Sequence, residues 1–372
     1  MRIVIWQYIL SVTDIPYTAH LMDSSNVDEV VIVAGKLSKG REKLGWDNQF
    51  PELKACKVYT SPDDDVILQI IEKQVNDSIH LFSGIRGCPR VFHAFKLSLN
   101  YPIKRGVISE RPMTYAAGVD WAKPLWLHKL RFMLQNGKFL NRIDYIFAIG
   151  NEAYEYYKSI SSHWKIFPFI YCTRDNSFER NVNDNICHIT YVGSLSLRKS
   201  VMTILKAVKR LNDSGYQDKL VLDIIGVGEQ YDKLNNYALK HELLNINFRG
   251  MKKNNEIPSI LVNQDVLILP SIHDGWGAVV NESLLAGLYT ICSDRCGSKD
   301  LLDDERRGQV FKMRDYKQLA NILKYCCDNL NSIRADINYR RDWAQKSISG
   351  QVIAQYIIDC LTQETKPALP WK

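Results

Sequence analysis

Hydrophobic positions along this chain fall into two kinds of run that alternate from one end to the other. Short stretches dense in Ile, Val, Leu and aromatic residues predict buried strands at Arg2 to Trp6, Val30 to Ala34, Ile79 to Phe82, Lys104 to Ile108 and Tyr145 to Ile149 in the first half. The second half repeats the pattern more regularly, at His188 to Val192, Leu220 to Ile225, Ile246 to Phe248, Val266 to Leu269, Thr290 to Cys292 and Val310 to Phe311. Between them the apolar residues take helical spacing. Val201, Ile204, Leu205, Val208 and Leu211 line one helix face, with Gly215 placed to close it. Trp343 to Leu361 has the same periodicity and predicts a final helix. Strand and helix in alternation predict an α/β fold of parallel sheets covered by helices.

A chain of 372 residues outgrows a single core. The polar, Asn-rich segment Arg174 to Asn185 reads as a linker near its middle. The expected organisation is a Rossmann-like domain over 1–173, a linker over 174–186, a second Rossmann-like domain over 187–340 and a terminal helix over 341–362. Sheets of this kind bind ligands at the carboxyl ends of their strands, so two such lobes would face each other across a binding cleft.

Composition narrows the classes. With 46 % hydrophobic and 24 % charged residues and no repetitive tract, disorder is excluded. The nine cysteines are scattered with no C-x-x-C, which fits reduced thiols in the cytoplasm better than zinc or disulfides. The apolar opening Ile3 to Val12 is broken by Gln7 and runs into Asp14, as a first strand would and a signal peptide would not. No run is long enough to span a bilayer.

The net charge of +7 is concentrated in one place. From Arg86 to Arg142 there are eleven Lys and Arg against Glu110 and Asp120, mixed with Phe92, Phe95, Tyr101, Tyr115, Trp121, Trp126 and Phe132. Residues 86–142 therefore suit an anionic membrane surface, or else form a solvated basic face with the aromatics in the core. Nucleic acid is not expected, since no binding motif accompanies the charge.

Candidate chemistry centres on Leu269 to Asp300. A buried strand ends at Pro270, Asp274 follows in a loop, and Gly275 and Gly277 flank Trp276 before a helix that should end at Gly287. Glycines there let backbone approach a ligand, and the helix N-terminus favours a phosphate. Glu282 lies about 7.5 Å further along that helix, the span from a diphosphate to a ribose, where a carboxylate can accept from both hydroxyls of a diol. Asp274 is then left for the sugar. The competing reading makes Asp274 a helix cap and leaves Glu282 facing solvent. Asp63, Asp64 and Asp65 contain a D-x-D, but after Ser61 and Pro62 they read as a helix start, with Ser61 capping, and not as a metal site. Gly226-Val227-Gly228 lacks the third glycine of a dinucleotide fingerprint and reads as a turn at the sheet edge.

The segment resembles glycosyltransferase family 4, whose signature is two acids separated by seven residues around a Gly-x-Gly. Asp274 and Glu282 keep that spacing, with Gly275, Gly277, Ala286 and Gly287 in register. Asp274 stands where Glu is usual. The resemblance implies a GT-B fold and assigns the donor diphosphate to Lys199 and, because Ser194 occupies the usual arginine position after Gly193, to Arg198. It also implies donor-binding roles for Gly193, Ser194, Gly275, Trp276, Gly277 and Glu282, a base-lining role for the loop at Arg249, where a plain strand end is the other reading, and a sugar contact for Glu110 in the segment Ser109 to Pro112. The bland reading of Glu110 is a salt bridge with Arg111. The final helix is implied to cross back to the first lobe.

Membership of that family would imply a retaining, metal-independent hexosyltransferase without a cofactor. Its donor would be a UDP- or GDP-sugar and its acceptor a glycan or lipid-linked saccharide, in surface polysaccharide biosynthesis. The enzyme would be cytoplasmic, peripheral on the inner face of the cell membrane where the basic segment binds lipid. The rival functions are a nucleotide-sugar 2-epimerase on the same fold and a non-catalytic nucleotide-sugar-binding protein.

Overall fold

A computed structural model describes residues 1–37, 50–73, 75–112, 125–175 and 178–372. The chain forms two compact units. One takes the described residues up to Thr173 together with Ile348–Pro370, and the other takes Arg174–Ser347 with Trp371–Lys372.

The first unit is built on seven parallel strands: β1 (Arg2–Ile9), β2 (Glu29–Gly35), β3 (Lys57–Thr60), β4 (Ser78–Ser83), β5 (Lys104–Ser109), β6 (Tyr145–Ile149) and β7 (Lys165–Phe169), in the order β3-β2-β1-β4-β5-β6-β7. Central strands such as β6 are buried at every position, as a parallel sheet covered on both faces requires. Five of the seven coincide with the runs read from the sequence. The other two are edge strands whose pattern hides them: β3 is largely exposed, and β7 carries Pro168, which an edge strand tolerates because one side of its ladder is free.

Helices α1 (Ile15–His20), α2 (Asp64–Glu72), α3 (Pro89–Ser98), α4 (Leu125–Leu140) and α5 (Asn151–Lys158) connect these strands. Helix α2 starts on acids as expected, but the cap is Asp63, whose side chain accepts from the Val66 N–H at 3.0 Å. Ser61 instead takes a left-handed φ of 53° and accepts from the Lys36 N–H. Among the described residues no group of three or more His, Cys, Asp or Glu is placed to hold a metal ion, and no helix is long and apolar enough to cross a membrane.

Six parallel strands make the second sheet: β8 (Cys187–Val192), β9 (Leu220–Ile225), β10 (Ile246–Gly250), β11 (Val266–Leu269), β12 (Tyr289–Ser293) and β13 (Gly308–Phe311), ordered β10-β9-β8-β11-β12-β13. Its core includes the predicted face of α6 (Met202–Asn212), with Ile204, Leu205, Val208 and Leu211 all buried against the sheet. Helices α7 (Tyr231–Lys240), α8 (Ile257–Leu261), α9 (Val279–Ala286), α10 (Tyr316–Asp328) and α11 (Leu330–Ala335) complete the alternation, and α9 ends on Gly287 as expected.

The predicted terminal helix is two helices. α12 (Ile337–Ile348) and α13 (Gly350–Thr362) are divided at Ser349, whose hydroxyl caps the second by accepting from the Val352 N–H. The division falls where the chain passes from the second unit into the first. There α13 packs on α1, so closely that a Cβ on Gly350 would stand 2.4 Å from the Pro16 carbonyl oxygen.

Candidate functional site

Strand order decides which loops of the second unit meet. β8 and β11 are neighbours in the sheet although 73 residues separate Val192 from Val266, so the loops leaving their carboxyl ends run side by side. This is also the point where the strand order reverses, the position at which doubly wound sheets bind ligands.

The loop after β8 begins at Gly193, makes one turn of 3-10 helix over Leu197–Lys199, and enters α6 through Ser200 at a left-handed φ of 52°. It lies on the loop after β9. Gly193 N–H donates to the Ile225 carbonyl at 3.0 Å and Leu195 N–H to that of Val227 at 2.9 Å. The approach explains the second glycine pair. A Cβ on Gly226, whose φ is 141°, would stand 1.8 Å from the Gly193 oxygen. Gly226 and Gly228 are therefore required by loop-on-loop packing, consistent with a turn at the sheet edge.

The loop after β11 is pinned from two sides. Ile272 N–H donates to the Arg198 carbonyl at 2.8 Å, which fastens it to the first loop. Asp274 N–H donates to Arg295 and Gly297 N–H to Asp274, which fasten it to the turn after β12. Side chains then converge: Lys199 Nζ donates to Asp274 Oδ2 at 2.5 Å, Ser271 Oγ donates to the same oxygen at 3.2 Å, and Arg198 Nη1 lies 3.5 Å from Asp274 Oδ1 while donating to the His273 carbonyl at 2.9 Å. Burial alone would raise the Asp274 carboxyl. The Lys199 and Arg198 charges, with the hydrogen bonds from Lys199 and Ser271, outweigh it and hold the pKa below the usual carboxylate range.

Beyond Asp274 the chain turns into α9. Gly277, at φ 94°, sits where a Cβ would fall 2.5 Å from Leu269 Cδ2. Trp276 is 1 % exposed and donates from Nε1 to Asn281 Oδ1 at 2.8 Å, so its indole is a core group and only its backbone faces the loop. Helix α9 follows Ala278 with no side-chain cap; the Val280 and Asn281 N–H groups donate back to the Gly277 and Ala278 carbonyls, which leaves the Val279 N–H at the helix end to face an anion. Glu282 is partly exposed yet closely surrounded by protein, and burial pushes its carboxyl up to about 7. Among the described residues no ion pair offsets that burial.

The remaining candidates stand elsewhere. Arg249, on the edge strand β10, is half-exposed and donates from Nε to Asp223 Oδ1 at 3.0 Å. Glu110 follows β5 in the first unit, where its carbonyl accepts from Ser109 Oγ and from the Tyr157 hydroxyl. Arg111 pairs with Glu152 at 3.6 Å. Asp14, read from the sequence only as the polar stop of the first apolar run, lies in the loop after β1 and immediately before α1. Its carboxyl is pushed up to about 7 by burial, partly offset by the hydrogen bond from Tyr17 at 3.4 Å. Ser271 was missed, since a serine after Pro270 carries no signal of its contact with Asp274. Within residues 86–142, Tyr115, Asp120 and Trp121 lie outside the described residues. Phe92, Phe95 and Phe132 pack in or against the first core, whereas Trp126, Leu127, Leu130, Met133 and Leu134 form an exposed stripe on α4.

Residues 173–347 match the family model for glycosyl transferases group 1. The Escherichia coli UDP-Gal:alpha-D-GlcNAc-diphosphoundecaprenol alpha-1,3-galactosyltransferase is 29 % identical over 145 residues, which cover 38 % of this chain and 36 % of that enzyme. The lipopolysaccharide outer core galactosyltransferase WaaB superposes with a TM-score of 0.68 at 14 % identity, over 98 % of this chain and 100 % of its own. Anabaena HepE in complex with UDP and glucose also superposes with a TM-score of 0.68, at 11 % identity over 97 % and 99 %. The fold is GT-B, and together with the family match it supports a glycosyltransferase.

Proposed function

We propose that this protein is a retaining hexosyltransferase that moves a sugar from a UDP- or GDP-sugar to a saccharide or lipid-linked saccharide acceptor in surface polysaccharide assembly. One observation carries the reading. Two cations, a carboxylate and an uncapped helix N-terminus converge at the carboxyl edge of the second sheet, in the unit that matches the family model. Lys199 and Arg198 are the natural partners of a diphosphate, and α9 offers it the Val279 N–H. Glu282 takes the ribose diol.

In this mechanism the bond from the anomeric carbon to the diphosphate oxygen breaks as the acceptor oxygen bonds to the same face of the sugar. The acceptor proton passes to the leaving phosphate. Negative charge grows on that phosphate, where Lys199 and Arg198 stabilise it most strongly in the transition state. No metal ion and no separate general base are assigned. Support for the donor and acceptor classes comes from the names of the similar proteins, one a UDP-galactose-dependent enzyme acting on a lipid diphosphate and one holding UDP. A cytoplasmic enzyme that docks on anionic lipid fits the exposed apolar stripe of α4 and the basic residues around it, Lys129, Arg131 and Lys138.

A thermal-shift screen over nucleotide sugars, followed by a transfer assay in chelator, tests the reading. A donor at 100 times its Kd should stabilise the protein by about 2.7 kcal/mol. No shift with any UDP- or GDP-sugar would remove the donor site.

A further inference from the structure

The two groups assigned to the donor diphosphate are already engaged by a carboxylate. Lys199 and Asp274 are each 13 % exposed and 2.5 Å apart, and no other acid lies within ion-pair distance of Lys199 among the described residues. Arg198 completes the cluster at 3.5 Å from the second carboxylate oxygen. The carboxylate thus lies where an anionic ligand of the two cations would compete with it. Ser271 and the backbone bonds to Arg295 and Gly297 hold Asp274 on the spot. The ammonium has three donors and can touch both, but its charge is already compensated by the carboxylate, which repels an incoming diphosphate.

We propose that Asp274 is an internal counter-ion of the donor site. It neutralises Lys199 and Arg198 while the site is empty, and a diphosphate draws those side chains away from it, after which its carboxylate is free for the sugar hydroxyls. The inference rests on the reading of Lys199 and Arg198 as diphosphate ligands. It adds that Asp274 opposes binding of the diphosphate, so the residue acts in two opposite senses along one reaction. The contact also neutralises a charge that would otherwise sit at low exposure without a partner, which is costly. An acid with this role keeps the empty site folded and weakens retention of the nucleoside diphosphate product, which carries no sugar for the carboxylate to bind.

Calorimetric titration of UDP, GDP, uridine and guanosine into wild type, Asp274→Asn and Asp274→Ser tests this, with each variant's melting temperature recorded beside it. Wild type is expected to bind one of the two diphosphates. Both variants should bind that diphosphate about tenfold more tightly, equivalent to about 1.4 kcal/mol, with affinity for the matching nucleoside unchanged. They should also melt lower than wild type when empty and regain more on adding the diphosphate. Equal or weaker diphosphate binding by a folded variant overturns the counter-ion role while leaving the donor site in place. Failure of wild type to bind either diphosphate overturns the donor site itself.

Discussion

Lys199 Nζ lies 2.5 Å from Asp274 Oδ2, a contact between residues 75 positions apart in the chain. It depends on β8 and β11 being adjacent, so it ties the stability of the sheet's carboxyl edge to the chemistry proposed there. Replacing Lys199 with Met strands a buried carboxylate and should cost about 2–4 kcal/mol at pH 7. The sign with pH follows from Asp274, whose folded pKa is depressed below 3.8. The pair therefore contributes fully above that value and is lost as pH falls through the lower folded one. Urea unfolding should show the Lys199→Met penalty at pH 7 and progressively less of it as pH falls below 3.8. A penalty independent of pH would mean that packing, and not charge, accounts for it.

Glu282 predicts the opposite trend. Its carboxyl is raised from 4.5 to about 7, so the folded state holds a proton that the unfolded chain has released, and stability falls as pH rises across that interval. Glu282→Gln removes the cost and should be more stable than wild type by up to about 3 kcal/mol at pH 8, with little difference at pH 4. The same variant should lose most nucleotide affinity. Binding to wild type at pH 6.5 should release a proton, because a diol donates to the carboxylate and not to the acid. Calorimetry in buffers of different ionisation enthalpy reads that proton directly.

Gly226 separates a backbone requirement from a simple turn. A Cβ there meets the Gly193 oxygen at 1.8 Å, whereas one on Gly215, at φ 83°, meets nothing within 4 Å. Gly226→Ala should destabilise by about 2–4 kcal/mol and displace the Lys199 loop, while Gly215→Ala should cost about 1 kcal/mol from its φ alone. Equal melting temperatures for the two would contradict the packing described.

On α4, Trp126 is 61 % exposed and Leu134 79 %, on a helix whose other face buries Phe132 and Phe139. If this stripe meets lipid, co-sedimentation should find the protein on anionic vesicles, with roughly half or more released at about 0.5 M salt, where the Debye length is about 4 Å. The double change Trp126→Ser and Leu134→Ser should lower partitioning about tenfold at either salt concentration. Wild-type protein that stays in solution at low salt would assign the stripe to another partner.

Much of this architecture was legible in the residues. Eleven strands and the closing of α9 at Gly287 follow from hydrophobic runs and one glycine, because burial on both faces of a parallel sheet leaves continuous apolar stretches. The two strands missed, Lys57–Thr60 and Lys165–Phe169, are edges, where half the backbone is unpaired and the apolar signal is weak. At the site, spacing pointed to Asp274 and Glu282 but could not show their surroundings. The bond from Lys199 depends on strand order, and the raised Glu282 carboxyl depends on what packs around it. Trp276 shows the limit best: its neighbours Gly275 and Gly277 suggested a ligand loop, and only the fold turns its indole inward to Asn281.

The return of α13 to the first unit has a consequence for synthesis of the chain. Tyr356 donates to the Pro168 carbonyl at 2.9 Å, and Gly350 lies against Pro16, so the first unit needs residues translated after the second unit's sheet. Emerging from a ribosome, the second unit can close its sheet as soon as β13 is out. The first must wait, with the face of α1 that receives α13 uncovered, until the helix over Gly350–Thr362 arrives. The first unit's core thus waits on a helix made after the second sheet, and a nascent chain halted before residue 350 should expose that face to chaperones.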